Sequence, residues 1–135
     1  MSNPSKKYRI RRTDGRLVNV IQHRGQLIVC ATGCCCGRVE KGFAPVWTNL
    51  YHEEWERRNL RNKVHLSQGG CLGPCEIGNL VTLVFDRKIQ GFHSIDHPEQ
   101  IFAIYDYIEA LLLADDPSAV NLPAPLEGCT YDYFV

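Results

Sequence analysis

CLGPC, residues 71–75, and the earlier stretch CATGCCC, residues 30–36, together hold six of the seven cysteines of this chain. Residues 37–70, which separate the two stretches, contain no cysteine. Thiol groups that lie far apart in sequence can each supply part of one ligand set, because folding brings them together around a metal. The cysteine pattern therefore predicts a metal site that is completed only when the chain folds.

Charge is distributed unevenly along the chain. The 135 residues are enough for one domain with extensions. The formal net charge of zero argues against bulk nucleic-acid binding. Residues 1–26, however, carry seven basic side chains against the single acid Asp14, a net charge of +6, so the remainder carries −6. A basic arm of this kind either steers an acidic partner or is a solvated terminus.

No targeting segment or membrane span is recognisable in the sequence. The first residues lack the apolar stretch of a signal peptide, and no window approaches the roughly 20 apolar residues of a membrane-spanning helix. We therefore expect a cytoplasmic protein with no membrane span. Disulfides are rare in that compartment, so seven cysteines indicate metal or redox chemistry.

Apolar periodicity predicts strand, helix, strand, strand, strand and helix, in that order. The first strand delivers Cys30 to its carboxyl end. A mixed sheet of about four strands with two main helices packed on it is the α/β pattern of a small thioredoxin-like domain. The predicted elements cover residues 26–30, 44–62, 64–66, 79–85 and 89–95, with a last helix that starts near residue 96 and stops by residue 117.

Local signals refine these elements. Pro45 fits the first turn of the first helix, where its missing N–H costs nothing. Asp96 is expected to cap the second helix, with Glu99 completing a capping box. Asp14–Gly15 favours a tight hairpin turn within the basic arm, although a loosely docked arm is the alternative.

The sequence divides into three predicted regions. Residues 1–25 form a basic N-terminal extension, residues 26–114 the main domain, and residues 115–135 an irregular C-terminal tail. The aromatic end of this tail is expected to dock on the body or on another subunit.

The spacing of the cysteines limits the choice of cofactor. Structural zinc sites commonly use cysteine pairs separated by two to four residues, so the Cys71–Cys75 pair leaves zinc open. A thioredoxin-type dithiol needs Cys-x-x-Cys, which is missing from this sequence. A Rieske centre needs histidine ligands, and the histidines at positions 23, 52, 65, 93 and 97 lie outside both stretches. A 2Fe–2S centre with four thiolate ligands needs nothing extra.

These residues resemble the thioredoxin-like 2Fe–2S ferredoxins, a family that includes the small peripheral iron–sulfur subunit of complex I. The family pattern is Cys-x4-Cys, a spacer of about 35 residues and Cys-x3-Cys. Here Cys30-x4-Cys35, then 35 residues, then Cys71-x3-Cys75 match that pattern. The sequence GCLGPC at residues 70–75 and the segment 95–113 are also similar to sequences of the family. The resemblance covers roughly residues 26–114.

The resemblance implies a one-electron carrier rather than an enzyme, with no catalytic residue. Its implied cluster ligands are Cys30, Cys35, Cys71 and Cys75. Cys34 and Cys36 flank Cys35, and either remains an alternative second ligand. The family often forms homodimers and passes electrons to a redox protein partner. Some stand-alone members are associated with cobalamin biosynthesis, so a role in cobalamin or tetrapyrrole metabolism is one hypothesis.

Other functions use the same thiols. Three consecutive cysteines suit a module that binds zinc or a soft metal, and an iron–sulfur sensor is a further alternative. No helix-turn-helix is apparent, so we expect no nucleic-acid partner. We expect Cys129 to be a free thiol, and His93 and His97 to be ordinary surface or capping histidines.

Overall fold

A computed structural model of the chain describes residues 7–21, 23–31, 36–70, 72–73 and 77–132. These residues form a mixed α/β fold with two helices, a five-stranded sheet and a separate two-stranded sheet, so the predicted α/β class is confirmed. The main sheet has one strand more than predicted. The strands are β1 (Lys7–Arg11), β2 (Leu17–Ile21), β3 (Gly25–Cys30), β4 (Val64–Gly69), β5 (Val81–Phe85), β6 (Lys88–Phe92) and β7 (Thr130–Tyr131), and the helices are α1 (Thr48–Arg57) and α2 (Pro98–Leu113).

The main sheet has the strand order β4-β3-β5-β6-β7. β3 and β4 are parallel and are connected through α1, as a parallel pair requires. The other neighbours are antiparallel. In the β3–β4 register Cys30 pairs with Gly69, so the last residues of these two strands lie side by side at one edge of the sheet.

Both helices pack on one face of the main sheet. Successive side chains of a strand point to opposite faces, and the alternate residues Leu27 and Val29 of β3 enter the core beneath the helices. Ile28 and Cys30 therefore point to the other face. The core includes Leu27, Val29, Val81 and Leu83 from the sheet and Tyr51, Trp55, Ile101, Ile104 and Ile108 from the helices.

The first helix is shorter than predicted, because α1 begins at Thr48 and ends at Arg57. Pro45 lies before the helix, and a residue that precedes proline, here Ala44, is disfavoured in the helical region. Side-chain hydrogen bonds hold this segment outside the helix, since Trp47 Nε1 donates to the Asp96 carbonyl oxygen (3.2 Å). At the other end Asn59 adopts a positive φ of 55° and terminates the helix.

The predicted capping of α2 by Asp96 and Glu99 is wrong. Gln100 performs this role, because its Oε1 accepts hydrogen bonds from the backbone N–H groups of Asp96 (2.8 Å) and His97 (2.9 Å). His97 is the residue at the N-cap, and Pro98 occupies the first helical position. The carboxylate of Asp96 is engaged elsewhere, since it accepts from the side chain of Asn79.

The basic arm forms the predicted hairpin. β1 and β2 pair antiparallel, and the turn between them contains Asp14 and Gly15, whose φ is 87°. The apolar side chains of Ile10, Leu17 and Val18 are exposed on this hairpin. In the chain β2 is followed by β3, so the hairpin precedes the end of β3 that lies opposite Cys30.

The C-terminal tail returns along α2 towards the edge of the sheet at which Cys30 and Gly69 lie. Two short 3-10 turns, Pro117–Ala119 and Ala124–Leu126, lie against α2, and Leu126 is fully buried. β7 then pairs with β6 and becomes the edge strand. Tyr133 and Phe134 of the predicted aromatic end lie outside the described residues.

Among the described residues, no helix combines the length and apolar character needed to cross a membrane.

Arg58 ties the two helices together. Its side chain is only 10% exposed, and Nη1 donates to Asp106 (2.7 Å) and Glu109 (3.2 Å) of α2. Its guanidinium lies 5.7 Å from the ring centroid of Tyr105. Glu54 of α1 lies 3.4 Å from Arg58 Nη2, and hydrogen bonds, chiefly from Arg57, hold the pKa of Glu54 below its usual value.

We expect Arg58→Ala to lower the free energy of unfolding by about 2 kcal/mol, because it removes a largely buried side chain that pairs with Asp106 and Glu109 and packs on Tyr105. Arg61→Ala is the matched control, since Arg61 also pairs with a glutamate and lies 5.2 Å from the ring centroid of Trp55. Arg61 is 64% exposed, so its loss should cost about 0.5 kcal/mol. Urea unfolding followed by circular dichroism measures both, and equal losses would contradict the proposed role of Arg58.

Candidate metal centre

Two of the six clustered cysteines lie among the described residues. Cys30 ends β3 and is fully buried, and its N–H donates to the carbonyl oxygen of Leu80 (3.0 Å). Cys36 is also buried, with 3% of its surface exposed. The predicted ligands Cys35, Cys71 and Cys75, and the alternative Cys34, lie outside the described residues, and their roles stay predictions.

Cys30 and Cys36 share one buried cluster with Leu80, separate from the core beneath the helices. The backbone N–H of Leu80 donates to Cys36 Sγ at 3.4 Å. Val46, Leu72 and Tyr131 pack against this cluster. We call Cys30, Cys36 and Leu80 the cysteine cluster. The alternative second ligand Cys36 therefore lies in the same small apolar region as Cys30.

Backbone pairing brings the start of the first cysteine stretch to the start of the second. The N–H of Ala31, directly after Cys30, donates to the carbonyl oxygen of Gly69 at 2.7 Å. Gly69 precedes Cys71 by two positions in the sequence. Leu72, the residue after Cys71, packs against the cysteine cluster. The chain thus enters both stretches at one place.

The side chain of Asn79 bonds the residue after the first stretch to the segment that follows the second stretch. Its Oδ1 accepts a hydrogen bond from the N–H of Gly37 (2.7 Å), the residue after Cys36. Its Nδ2 donates to the carbonyl oxygen of Ala44 and to Oδ1 of Asp96, both at 2.8 Å. Asn79 is 2% exposed, so these three hydrogen bonds within the protein replace the bonds that water would make to its amide. Gly37, which directly follows the first stretch, is therefore held beside Asn79, which lies four positions after the end of the second stretch in the sequence.

Gly78 allows the close packing of the segment that follows the second stretch. A Cβ at this position would lie 2.8 Å from two ring atoms of Phe43, and its φ of 78° disfavours any other residue. Phe43 thereby covers the backbone immediately before Asn79. Sequence reasoning missed both Gly78 and Asn79. The signal was the Gly-Asn dipeptide in front of an apolar strand, a pair that favours turns.

The donor chemistry of this region fits a metal held by thiolates. Buried sulfur ligands in an apolar setting suit iron–sulfur clusters, zinc or Cu(I). Within the described residues, no group of three or more Cys, His, Asp or Glu side chains could hold a metal ion. A complete ligand set would need cysteines of residues 34–35, 71 and 75, which lie outside those residues.

The remaining candidates have other contacts. Cys129 lies against the core beneath the helices, and Gln100 Nε2 donates to its Sγ at 3.5 Å. His93 Nδ1 lies 2.8 Å from the hydroxyl of Ser94. His97 occupies the N-cap of α2, which agrees with its predicted capping position.

The chain matches no protein-family model and has no significant match among curated protein sequences. Function must therefore be inferred from the residues and their positions. The strongest observation is that residues adjoining the two cysteine stretches are bonded to one another, Ala31 to Gly69 and Gly37 to Asn79.

We expect Asn79→Ala to lower the free energy of unfolding by about 3 kcal/mol, at about 1 kcal/mol for each of its three hydrogen bonds. Hydrogen exchange should also accelerate at the N–H of Gly37, which loses its acceptor. Asn59→Ala is the matched control, because Asn59 has a positive φ of 55° but is exposed. If both variants lost the same stability and Gly37 stayed protected, the role assigned to Asn79 would be wrong.

Proposed function

We propose that this protein is a one-electron carrier that holds a 2Fe–2S cluster on Cys30, Cys35, Cys71 and Cys75. The observation that supports the proposal most is the pairing of residues that adjoin the first cysteine stretch with residues that flank the second. Cys30 pairs with Gly69, and Gly37 is bonded to Asn79. Loops whose ends are fixed so close together lose less conformational freedom when their thiols bind one metal centre.

The cluster would supply the exchange of a single electron at a potential that its surroundings adjust. Residues around Cys30 would contribute to this centre in three ways. Strand pairing fixes the backbone at Cys30, and the apolar neighbours Val46 and Leu72 limit the access of water. The N–H of Leu80 donates to Sγ of Cys36, a hydrogen bond to a ligand sulfur only where Cys36 is the second ligand. Hydrogen bonds to sulfur and burial are the two means by which proteins tune such a centre.

The thioredoxin-like fold is part of this proposal. The parallel β3–β4 pair connected by α1, followed by the antiparallel β5–β6 pair and α2, is the order expected for such a domain. We propose further that the protein acts as a cytoplasmic homodimer with a redox protein partner. A place in cobalamin or tetrapyrrole metabolism remains the hypothesis drawn from the family resemblance.

A zinc- or soft-metal-binding module is the second candidate, with an iron–sulfur sensor as a variant of it. The burial of Cys36 beside Cys30 favours this alternative, because it offers a further thiol in the same region. Zinc accepts four thiolates in a closed structural site. The two candidates differ in colour, in iron content and in sulfide content.

Anaerobic purification followed by iron, sulfide and zinc assays tests the proposal. We expect about two irons and two acid-labile sulfides per chain, with visible absorption. Cys30→Ser and Cys71→Ser should lose most of the iron, whereas the control Cys129→Ser should retain it. A colourless protein with stoichiometric zinc would contradict electron transfer and favour the metal-binding module.

The second ligand is assigned by comparing Cys35→Ser with Cys34→Ser and Cys36→Ser in the same assay. Spacing predicts that Cys35→Ser alone loses the iron. Loss of iron only in Cys36→Ser would instead assign Cys36, whose Sγ already accepts the N–H of Leu80.

A further inference from the structure

The last strand of the sheet places an aromatic ring over a glycine. Tyr131 of β7 pairs with Gly91 of β6. A Cβ on Gly91 would lie only 2.6–2.9 Å from three ring atoms of Tyr131. The ring of Tyr131 therefore lies directly on the backbone of Gly91, an arrangement in which an aromatic side chain covers a cross-strand glycine.

This ring lies on the same face of the sheet as the cysteine cluster. Leu27 and Val29 point to the helices, so Cys30 points to the opposite face. Tyr131 packs against the cluster of Cys30, Cys36 and Leu80 on that opposite face. It thereby packs on the cysteine cluster from the face opposite the core beneath the helices.

Several contacts hold Tyr131 in this position. The N–H of His93 donates to the carbonyl oxygen of Cys129 (2.7 Å), which extends the β6–β7 pairing by one bond. The His93 ring lies 6.3 Å from the Tyr131 ring, centroid to centroid. Leu126, fully buried, anchors the preceding turn against α2. The tail is thus held by contacts from the end of α2 to the strand β7, which carries Tyr131.

We propose that Tyr131 is a positioning residue that caps the cysteine cluster. Its ring closes one side of the apolar region around Cys30 and Cys36, limits the access of water and small reagents to their sulfurs, and lowers the polarity around a metal centre bound beside them. The protection of the thiols stands independently of the proposed function. The effect on a bound 2Fe–2S cluster rests on that function.

Alkylation of the metal-free protein tests the cap without any cluster. The reduced chain is treated with iodoacetamide under native conditions, and the modification of Cys30 and Cys36 is followed by peptide mass spectrometry. We expect Tyr131→Ala to accelerate their alkylation by about tenfold or more, because a thiol must be accessible to react. Tyr131→Phe, which keeps the ring, should react like the unmodified chain.

Thr130→Ala is the matched control, because Thr130 lies in the same strand but is exposed. Unchanged alkylation in Tyr131→Ala, or equal acceleration in Thr130→Ala, would overturn the cap. If Tyr131→Ala fails to fold, Tyr131→Leu replaces it, and an alkylation rate no faster than that of Tyr131→Phe would count equally against the proposal.

The reduction potential is the second readout. Reduction adds negative charge to a cluster with four thiolates, and water stabilises that charge, so opening the cap should raise the potential. We expect a rise in Tyr131→Ala and none in Tyr131→Phe or Thr130→Ala. A protein that binds no iron but shows accelerated alkylation in Tyr131→Ala would keep the cap and refute the proposed electron transfer.

Discussion

One buried amide fixes the geometry on which the candidate metal centre depends. Asn79 accepts from Gly37 and donates to Ala44 and Asp96, residues that lie 42, 35 and 17 positions from it in the sequence. A buried amide that lost these partners would carry a desolvation penalty of about 1–3 kcal/mol for each unpaired group. The chain therefore satisfies Asn79 only when the segments after both cysteine stretches, and the segment before α2, occupy their native positions together.

Stability and chemistry are assigned to opposite faces of the sheet. The helices cover one face with a continuous apolar core, and Arg58 joins them through Asp106 and Glu109. The cysteine cluster points to the other face, where the C-terminal tail delivers Tyr131. Because the two clusters share few residues, substitutions around the cysteines can alter the proposed centre while the main core persists. Val46 contacts both clusters and is the exception.

The pattern of apolar residues predicted the elements that are most fully buried. β3 and β5 were foreseen as short apolar runs, and α2 was foreseen from apolar residues that recur at helical spacing. The start of α1 was not, since Pro45 is acceptable in a first helical turn, whereas the tertiary hydrogen bonds from Trp47 to Asp96 and from Asn79 to Ala44 hold this segment outside the helix. The same bond that engages Asp96 left the capping of α2 to Gln100.

The sequence predicted only part of the candidate site. Spacing and family resemblance named the cysteines, and strand periodicity foresaw Cys30 at the end of β3. Asn79 was assigned to a strand because it adjoins an apolar run, and its three partners are set by folding rather than by local pattern. β7 is two residues long, too short to carry a period. A lone glycine within the predicted strand, Gly91, was the available signal for close approach.

Electron paramagnetic resonance of the anaerobically purified, dithionite-reduced protein tests the central claim most directly. A 2Fe–2S centre built from both cysteine stretches predicts no signal when oxidised and a spin-one-half signal of about one spin per chain when reduced. A protein that stays silent in both states while carrying zinc, or one that gives only the high-spin signal of a single iron, would contradict it.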